Sequence, residues 1–425
     1  MRRNVLTVVA LLALATVALA ADWPQFRGPA RDGKSAETGL LKTWPEGGPA
    51  KVWETPGIGD GFASMSVVGG KVYTSGIING DMTVSALDGA EKGKILWQKV
   101  IDKATGGNQH PGSRSTPTID GDRLYFLSDA GTLICLKAAD GSEVWKLDLM
   151  AKYQAKRPTW SLAESPLVDG DRLLVTPGGK TASMVALDKM TGKEVWAAKP
   201  VIATWINKKT KKEESGPDGA AYASIVMHKI GGVRQAVGFL AKSVFAVNAD
   251  SGEVLWSQPH ETSYDVNATS VLFDGQELIY AVSGYGTGGE GLRLTVKDGK
   301  VSVEKVWTDK NLDDQFGGVV LVDGKIYGTG HNKAKWLTAL NMADGKKLYT
   351  VPCVGQSSVM WADGRLYVQG HDGDVALVDP AEGKTTGQFK IEGNKTKMWA
   401  HPVVADGKLY IRHDATISVY DVKAK

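Results

Sequence analysis

Apolar positions along the chain come in short runs, each cut off by a turn pair. The pair is Asp-Gly at 120–121, 169–170, 274–275, 323–324, 363–364 and 406–407, with Gly69-Gly70 and Gly231-Gly232 in equivalent places. Such pairs favour φ > 0 and join antiparallel strands without undoing their twist. After them come strands such as RLYFLS, KIYGTG, RLYVQG and KLYIRH. A third strand then leads into a second small-residue turn and an aromatic residue, as in CLKAADGSEVW (135–145), ALDKMTGKEVW (186–196) and AVNADSGEVLW (246–256). Gly93, Gly141, Gly192, Gly252 and Gly345 mark that turn; Trp97, Trp145, Trp196, Trp256 and Tyr349 follow four residues later. Trp307 and Phe389 take the aromatic place in two units with altered turns.

With Trp53 included, the aromatic anchors are spaced by 44, 48, 51, 60, 51, 42 and 40 residues. That period holds four short strands and is the signature of a β-propeller blade. The expected fold is all-β, an eight-bladed propeller of four-stranded antiparallel blades over residues 51–425. Only three strands, MWAHPVV, KLYIRH and ATISVYD, remain after Phe389, and KVWETP at 51–56 supplies the fourth. Pairing first and last strands in one blade closes the ring and hides its edges. Each repeated aromatic is expected to dock its blade on the next, a place that suits a large ring with one N–H donor.

The phrase ALD-x-x-TG-x-x-x-W is similar to the tryptophan-docking repeat of the pyrroloquinoline-quinone-like (PQQ-like) propeller superfamily. That superfamily joins quinoprotein alcohol dehydrogenases with the propeller lipoprotein of the outer-membrane barrel-assembly machine. The segment ADWPQFRGPARDG (21–33), within a leader at 21–50, resembles the start of exported bacterial propellers of the same superfamily.

Residues 1–20 read differently. Arg2 and Arg3 precede an apolar run from Val5, and Ala18-Leu19-Ala20 fits small-residue cleavage, so a signal peptide is expected. No cysteine follows that point, which removes a lipid anchor there. The mature chain is expected in the periplasm or secreted, without a membrane span, as a monomer. In an oxidising compartment the two cysteines, Cys135 and Cys353, stand in units too distant to bridge and are read as buried and inert. The net charge of +3 falls to +1 without Arg2 and Arg3, with 48 basic residues against 47 acidic. No basic stripe invites nucleic acid.

Both tight turns of a blade lie on one face of the ring, and longer loops gather on the other. The long loops are 102–112, 150–160, 203–219 and 283–291, and long loops on a rigid scaffold are where binding resides. Near the pore they carry His110, Arg114, Trp160, Glu164, Tyr264, Asn267, Asp314, Gln356, Trp399 and His401. The resemblance to the dehydrogenases implies that Glu164, Asn267 and Asp314 would hold Ca²⁺, an ion served by oxygen ligands. It also implies that Arg114, Trp160, Trp399 and His401 would hold the quinone, and that Asp314 would act as catalytic base. The Cys-Cys pair and the c-type haem motif of many such enzymes are missing.

Other patterns are structural. Gly284, Gly286 and Gly289 match a dinucleotide fingerprint, but a strand follows where a helix is required. The lysines at 208, 209, 211 and 212 are answered by Glu213 and Glu214 and read as a solvated loop, with an acidic partner as the lesser reading. The preferred reading is an exported scaffold, without a cofactor, that binds an envelope or secreted protein or a small ligand on the loop face. The alternative is a PQQ- and Ca²⁺-dependent dehydrogenase of an alcohol or sugar.

Overall fold

The computed structural model describes residues 22–425 apart from 107–109, 208 and 331–335. The signal segment 1–20, Lys208 and part of the 102–112 loop therefore lie outside the described residues. Eight sheets of consecutive antiparallel strands form the ring: blades 1 to 7 span 66–103, 118–148, 167–197, 226–259, 272–309, 320–352 and 357–390. Blade 8 takes three strands from 403–421 and its outermost strand from Lys51–Pro56, which pairs antiparallel with Thr416–Asp421. The closure expected from the strand count is what the chain forms.

The turn chemistry explains the register. At Asp323-Gly324, Asp363-Gly364 and Asp406-Gly407 both residues have positive φ, the mirror-image geometry that keeps hairpin twist right-handed. Between Asp120 and Arg123, and between Asp169 and Arg172, the loop is shifted by one residue to Gly121-Asp122 and Gly170-Asp171, with the glycine alone at positive φ. Gly284 and Gly286 lie in a hairpin loop, and Gly289 already belongs to the strand Gly288–Lys297.

The aromatic anchors work between blades. The indole N–H groups of Trp97, Trp145 and Trp196 donate to the carbonyls of Ala138, Lys189 and Ala249, each in the following blade. Trp256 differs: it is buried between blades 4 and 5, but its N–H goes to Gln235 of its own blade. Cys135 and Cys353 are free and buried, and burial pushes both thiols up to about 11.

Two segments depart from expectation. The 203–219 loop is a hairpin, with Ile202–Ile206 paired to Glu213–Pro217. Ile202, Thr204, Trp205 and Ile206, β-branched or aromatic, favour a strand here over a loose loop. The leader is the second surprise, since it fills the central channel. Trp23 exchanges two backbone hydrogen bonds with Val67 of blade 1, and Pro24 accepts from Ile119 of blade 2. Lys34–Ser35 adds a parallel strand to the innermost strand of blade 7, while the Ser35 hydroxyl donates to Val404 of blade 8. The innermost strands present unpaired main-chain groups to the channel, and buried polar groups need partners. The leader supplies them.

Candidate binding site on the loop face

Two arginines of the leader define the base of the site. Arg31 donates from Nη1 to the carbonyls of Ser165 and Ile225, both at 3.0 Å, and from Nη2 to Pro166, tying blades 3 and 4 together. Arg27 donates to Val319 at the entry of blade 6. Both are almost wholly buried, and burial lowers them, to about 9 for Arg31 and about 10 for Arg27. Their charges act on carboxylates nearby, Arg31 on Glu164 and Arg27 on Asp314.

Above this base lies a cavity of about 390 Å3 walled by two arcs of aromatic rings. In one, Trp399 packs on Phe62 (4.6 Å between centroids) and Phe316 (5.4 Å), with the His110 edge at 4.7 Å. In the other, Trp160 meets Tyr222 at 6.2 Å, while Tyr264, exposed and outside the cavity lining, backs Trp160 at 6.1 Å and Tyr285 at 5.6 Å. Phe26, from the leader, reaches the cavity and lies edge-on to His401 at 4.8 Å. His401 is kept neutral: burial, then the Arg27 charge, push it down to about 3, and its Nε2 lies 3.1 Å from the Phe316 carbonyl. Arg114 lies over the Phe62 ring at 5.2 Å and donates to the carbonyls of Gly112 and His110. Among the described residues, no aspartate or glutamate lines this cavity, whereas Arg114 and Lys397 do.

Arg114, Trp160, Trp399 and His401 therefore come together, with His110 and Gln356 beside them. Glu164, Asn267 and Asp314 do not line the cavity. Glu164 accepts from the Thr176 N–H (2.7 Å) and hydroxyl (3.1 Å), and burial pushes it up to about 7. Asn267 donates to the Leu240, Ala241 and His260 carbonyls and accepts from Ser283 at 2.7 Å. Asp314 accepts from the Gly317 N–H at 2.8 Å, and burial raises it to about 7. As placed, these groups do not fit an oxygen-ligated calcium ion. Glu164 and Asn267 have their oxygens on protein donors, and the arginines already supply positive charge beside the carboxylates. Among the described residues, no three His, Cys, Asp or Glu side chains gather in ligating positions.

Asn267 belongs instead to a buried chain that sequence reading missed. Its Oδ1 accepts from the Ser283 hydroxyl; Ser283 Oγ is 3.1 Å from His260 Nε2; and His260 Nδ1 is 2.7 Å from Glu290. Serine, histidine and carboxylate stand here in the order of a hydrolytic triad. The hydroxyl, however, donates to Asn267 rather than to the imidazole, and Ser283 is 1% exposed. The chain is a clamp between blades 4 and 5.

Phe26, Phe62, Tyr222, Tyr285 and Phe316 were also missed, as were Arg27 and Arg31. A cluster of loop aromatics at blade entries is the one sequence signal that marks the first group. Among the described residues, no helix is long and apolar enough to cross a membrane.

Comparison with known proteins agrees with this architecture. The family model described as outer membrane protein assembly factor BamB matches residues 80–351 and 243–425. The quinoprotein alcohol dehydrogenase PedH of Pseudomonas putida is 25% identical over 242 residues, 56% of this chain and 36% of that protein. BamB of Kangiella koreensis is 30% identical over 145 residues, 33% of this chain and 32% of that protein. The match thus spans about a third of the length of each. Among solved structures, BamB of Moraxella catarrhalis superposes with a TM-score of 0.60 at 17% identity, covering 88% of this chain and 98% of that one. The quinohemoprotein alcohol dehydrogenase ADHIIG of Pseudomonas putida HK5 gives 0.65 at 13% identity, covering 95% and 81%. At such identities the structural likeness concerns the fold.

Proposed function

Since the chain belongs to the family of the outer membrane protein assembly factor BamB, we propose that it is an exported scaffold that docks a protein partner on its loop face. The observation that carries this reading is the hairpin Ile202–Pro217. Each blade ends in an outer strand with one free edge, whereas this hairpin, among the described residues, is a separate sheet of two strands with both edges unpaired. Ile202 and Ile206 are 61% and 58% exposed on one of its faces, and Lys209, Lys211 and Lys212 stand at its tip. An unpaired edge with exposed aliphatics is a template for strand addition, and the lysines favour a partner strand flanked by acidic residues. The periplasm is the compartment consistent with the signal segment and with the relatives' names.

The test is a photo-crosslinking amino acid placed at Ile206 or, on the turn face, at Glu91, in cells that make the protein. A discrete partner adduct from position 206, lost with Ile202→Asp and absent from position 91, is expected. Adducts from the turn face alone would overturn the reading.

A second reading, quinone-dependent oxidation of an alcohol or sugar, is favoured by one observation: Arg114, Trp160, Trp399 and His401 line one cavity. A planar quinone held between those rings would supply the redox chemistry. The protein side would consist of aromatic walls, the Arg114 charge and exclusion of water. The calcium donors lie outside that cavity, and Glu164 and Asn267 have their oxygens on protein donors, which is why the scaffold reading stands first.

A further inference from the structure

The aromatic cavity does not end at its rim. A second, polar cleft of about 490 Å3 opens beside it and shares Phe62, His110 and Lys397 with it. Asp60, Asp372, Asn394, Thr396 and Asp414 line the outer part. One continuous groove thus changes character along its length, from flat rings near the channel axis to hydroxyl, amide and carboxylate groups outward. Within it, two buried polar atoms have no protein partner: the Trp399 indole N–H and the Asn394 Oδ1. Buried polar atoms normally have partners, so an orphaned donor and an orphaned acceptor in one groove point to a ligand offering both.

We propose that this groove binds an acidic oligosaccharide, with a terminal uronate ring in the aromatic cavity and neutral sugar units in the cleft, where Asp60, Asp372 and Asp414 would repel a second acid. Pyranose rings have flat apolar C–H faces that rest on aromatic faces, and hydroxyls at their rims that both donate and accept. The Phe62–Trp399–Phe316 arc supplies the platform, and Asn394 and the exposed Asp60 receive hydroxyl protons. The carboxylate is read by charge: Arg114 lines the cavity, Lys397 reaches it while paired at 2.5 Å with Asp372 of the cleft, no described acidic group lines the cavity itself, and Arg27 lies below its floor.

Two other ligands fit less well. A lone aromatic anion would leave the cleft unused. An extended peptide binds through main-chain hydrogen bonds, but the N–H groups of Lys395 and Thr396 in the cleft are already taken by Asp414. The proposal is independent of the partner-docking hairpin, which lies outside both cavities.

The experiment is calorimetry and tryptophan fluorescence on the mature protein with a trisaccharide bearing one terminal uronate, its methyl ester and an acidic hexapeptide. The mono-uronate trisaccharide should bind and perturb tryptophan emission, and the ester should bind about tenfold or more weakly for loss of the charge-assisted contacts. Trp399→Ala should abolish binding. Because that change removes packing too, Asn394→Ala and Lys397→Met, at half-buried and exposed positions of the 391–397 loop, should each weaken binding severalfold while leaving the unfolding transition in place. No response to the mono-uronate trisaccharide at millimolar concentration would overturn the proposal, as would equal binding of acid and ester. Peptide binding that depends on Trp399 would overturn it in favour of a protein ligand.

Discussion

Gly192 of blade 3 lies against the face of Trp145 of blade 2. A Cβ at Gly192 would stand 2.8 Å from the indole Cε3. The same contact joins Gly141 to Trp97, Gly252 to Trp196 and Gly345 to Trp307. The glycine and the tryptophan of one motif therefore serve different interfaces: the glycine receives the ring of the preceding blade, and the tryptophan goes to the glycine of the next. Gly192 also has φ +70, so two constraints coincide there.

Gly192→Ala should destabilise by about 1–3 kcal/mol, from overpacking and from a left-handed backbone that disfavours a side chain. In urea unfolding, combining it with Trp145→Ala should cost less than the sum of the single changes. Strict additivity would show that the contact carries no energy.

Trp196→Ala should cost on the order of 3–5 kcal/mol as a buried large-to-small change, with its bond to Ala249 lost as well. Lys209→Ala, on the exposed hairpin tip, should stay within about 0.5 kcal/mol. Equal midpoints for the two variants would remove the docking role.

Deleting residues 22–58 should unpair blade 8 and empty the channel, giving aggregation or loss of cooperative unfolding. Arg31→Met separates the two effects, since it keeps the strand Lys51–Pro56. It strips the carbonyls of Ser165, Pro166 and Ile225 of their donor and should cost about 2–4 kcal/mol. A truncated monomer that melts like the full chain would refute the closure.

Stability should depend on pH through Glu164. Burial raises it from 4.5 to about 7, so the folded state holds its proton where the unfolded state releases it. The contribution is full below about pH 4.5 and lost as pH rises through about 7, a change on the order of 3 kcal/mol. Asp314 acts in the same direction. Neutral His401 acts oppositely, its contribution being lost as pH falls toward about 3. The comparison is therefore Glu164→Gln against the parent protein at pH 5 and pH 7.5, where the parent should lose more stability. Parallel profiles would place the Glu164 proton elsewhere.

Purified protein given PQQ and Ca²⁺ should not reduce an artificial dye with simple alcohols or aldoses, and should retain no quinone absorbance after dialysis. Calcium-dependent dye reduction abolished by Glu164→Ala would establish the dehydrogenase instead.

The sequence by itself determined the ring. Turn pairs such as Asp363-Gly364, strand alternation and the spacing from Trp53 to Phe389 are local or periodic, so each blade is written within about fifty residues and the strand deficit after Phe389 dictates closure by 51–56. His110, Arg114, Trp160, Gln356, Trp399 and His401 were also legible, because blade entries must lie on one face. Tertiary structure alone decided what the channel contains. Arg27 and Arg31 carry no periodic signal, and their partners at 319, 165 and 225 are brought to them only when the ring closes. It alone also decided that Glu164 and Asn267 turn to Thr176 and Ser283 rather than to one another. The direction of a side chain at a strand entry depends on register, and a shift of one residue reverses it.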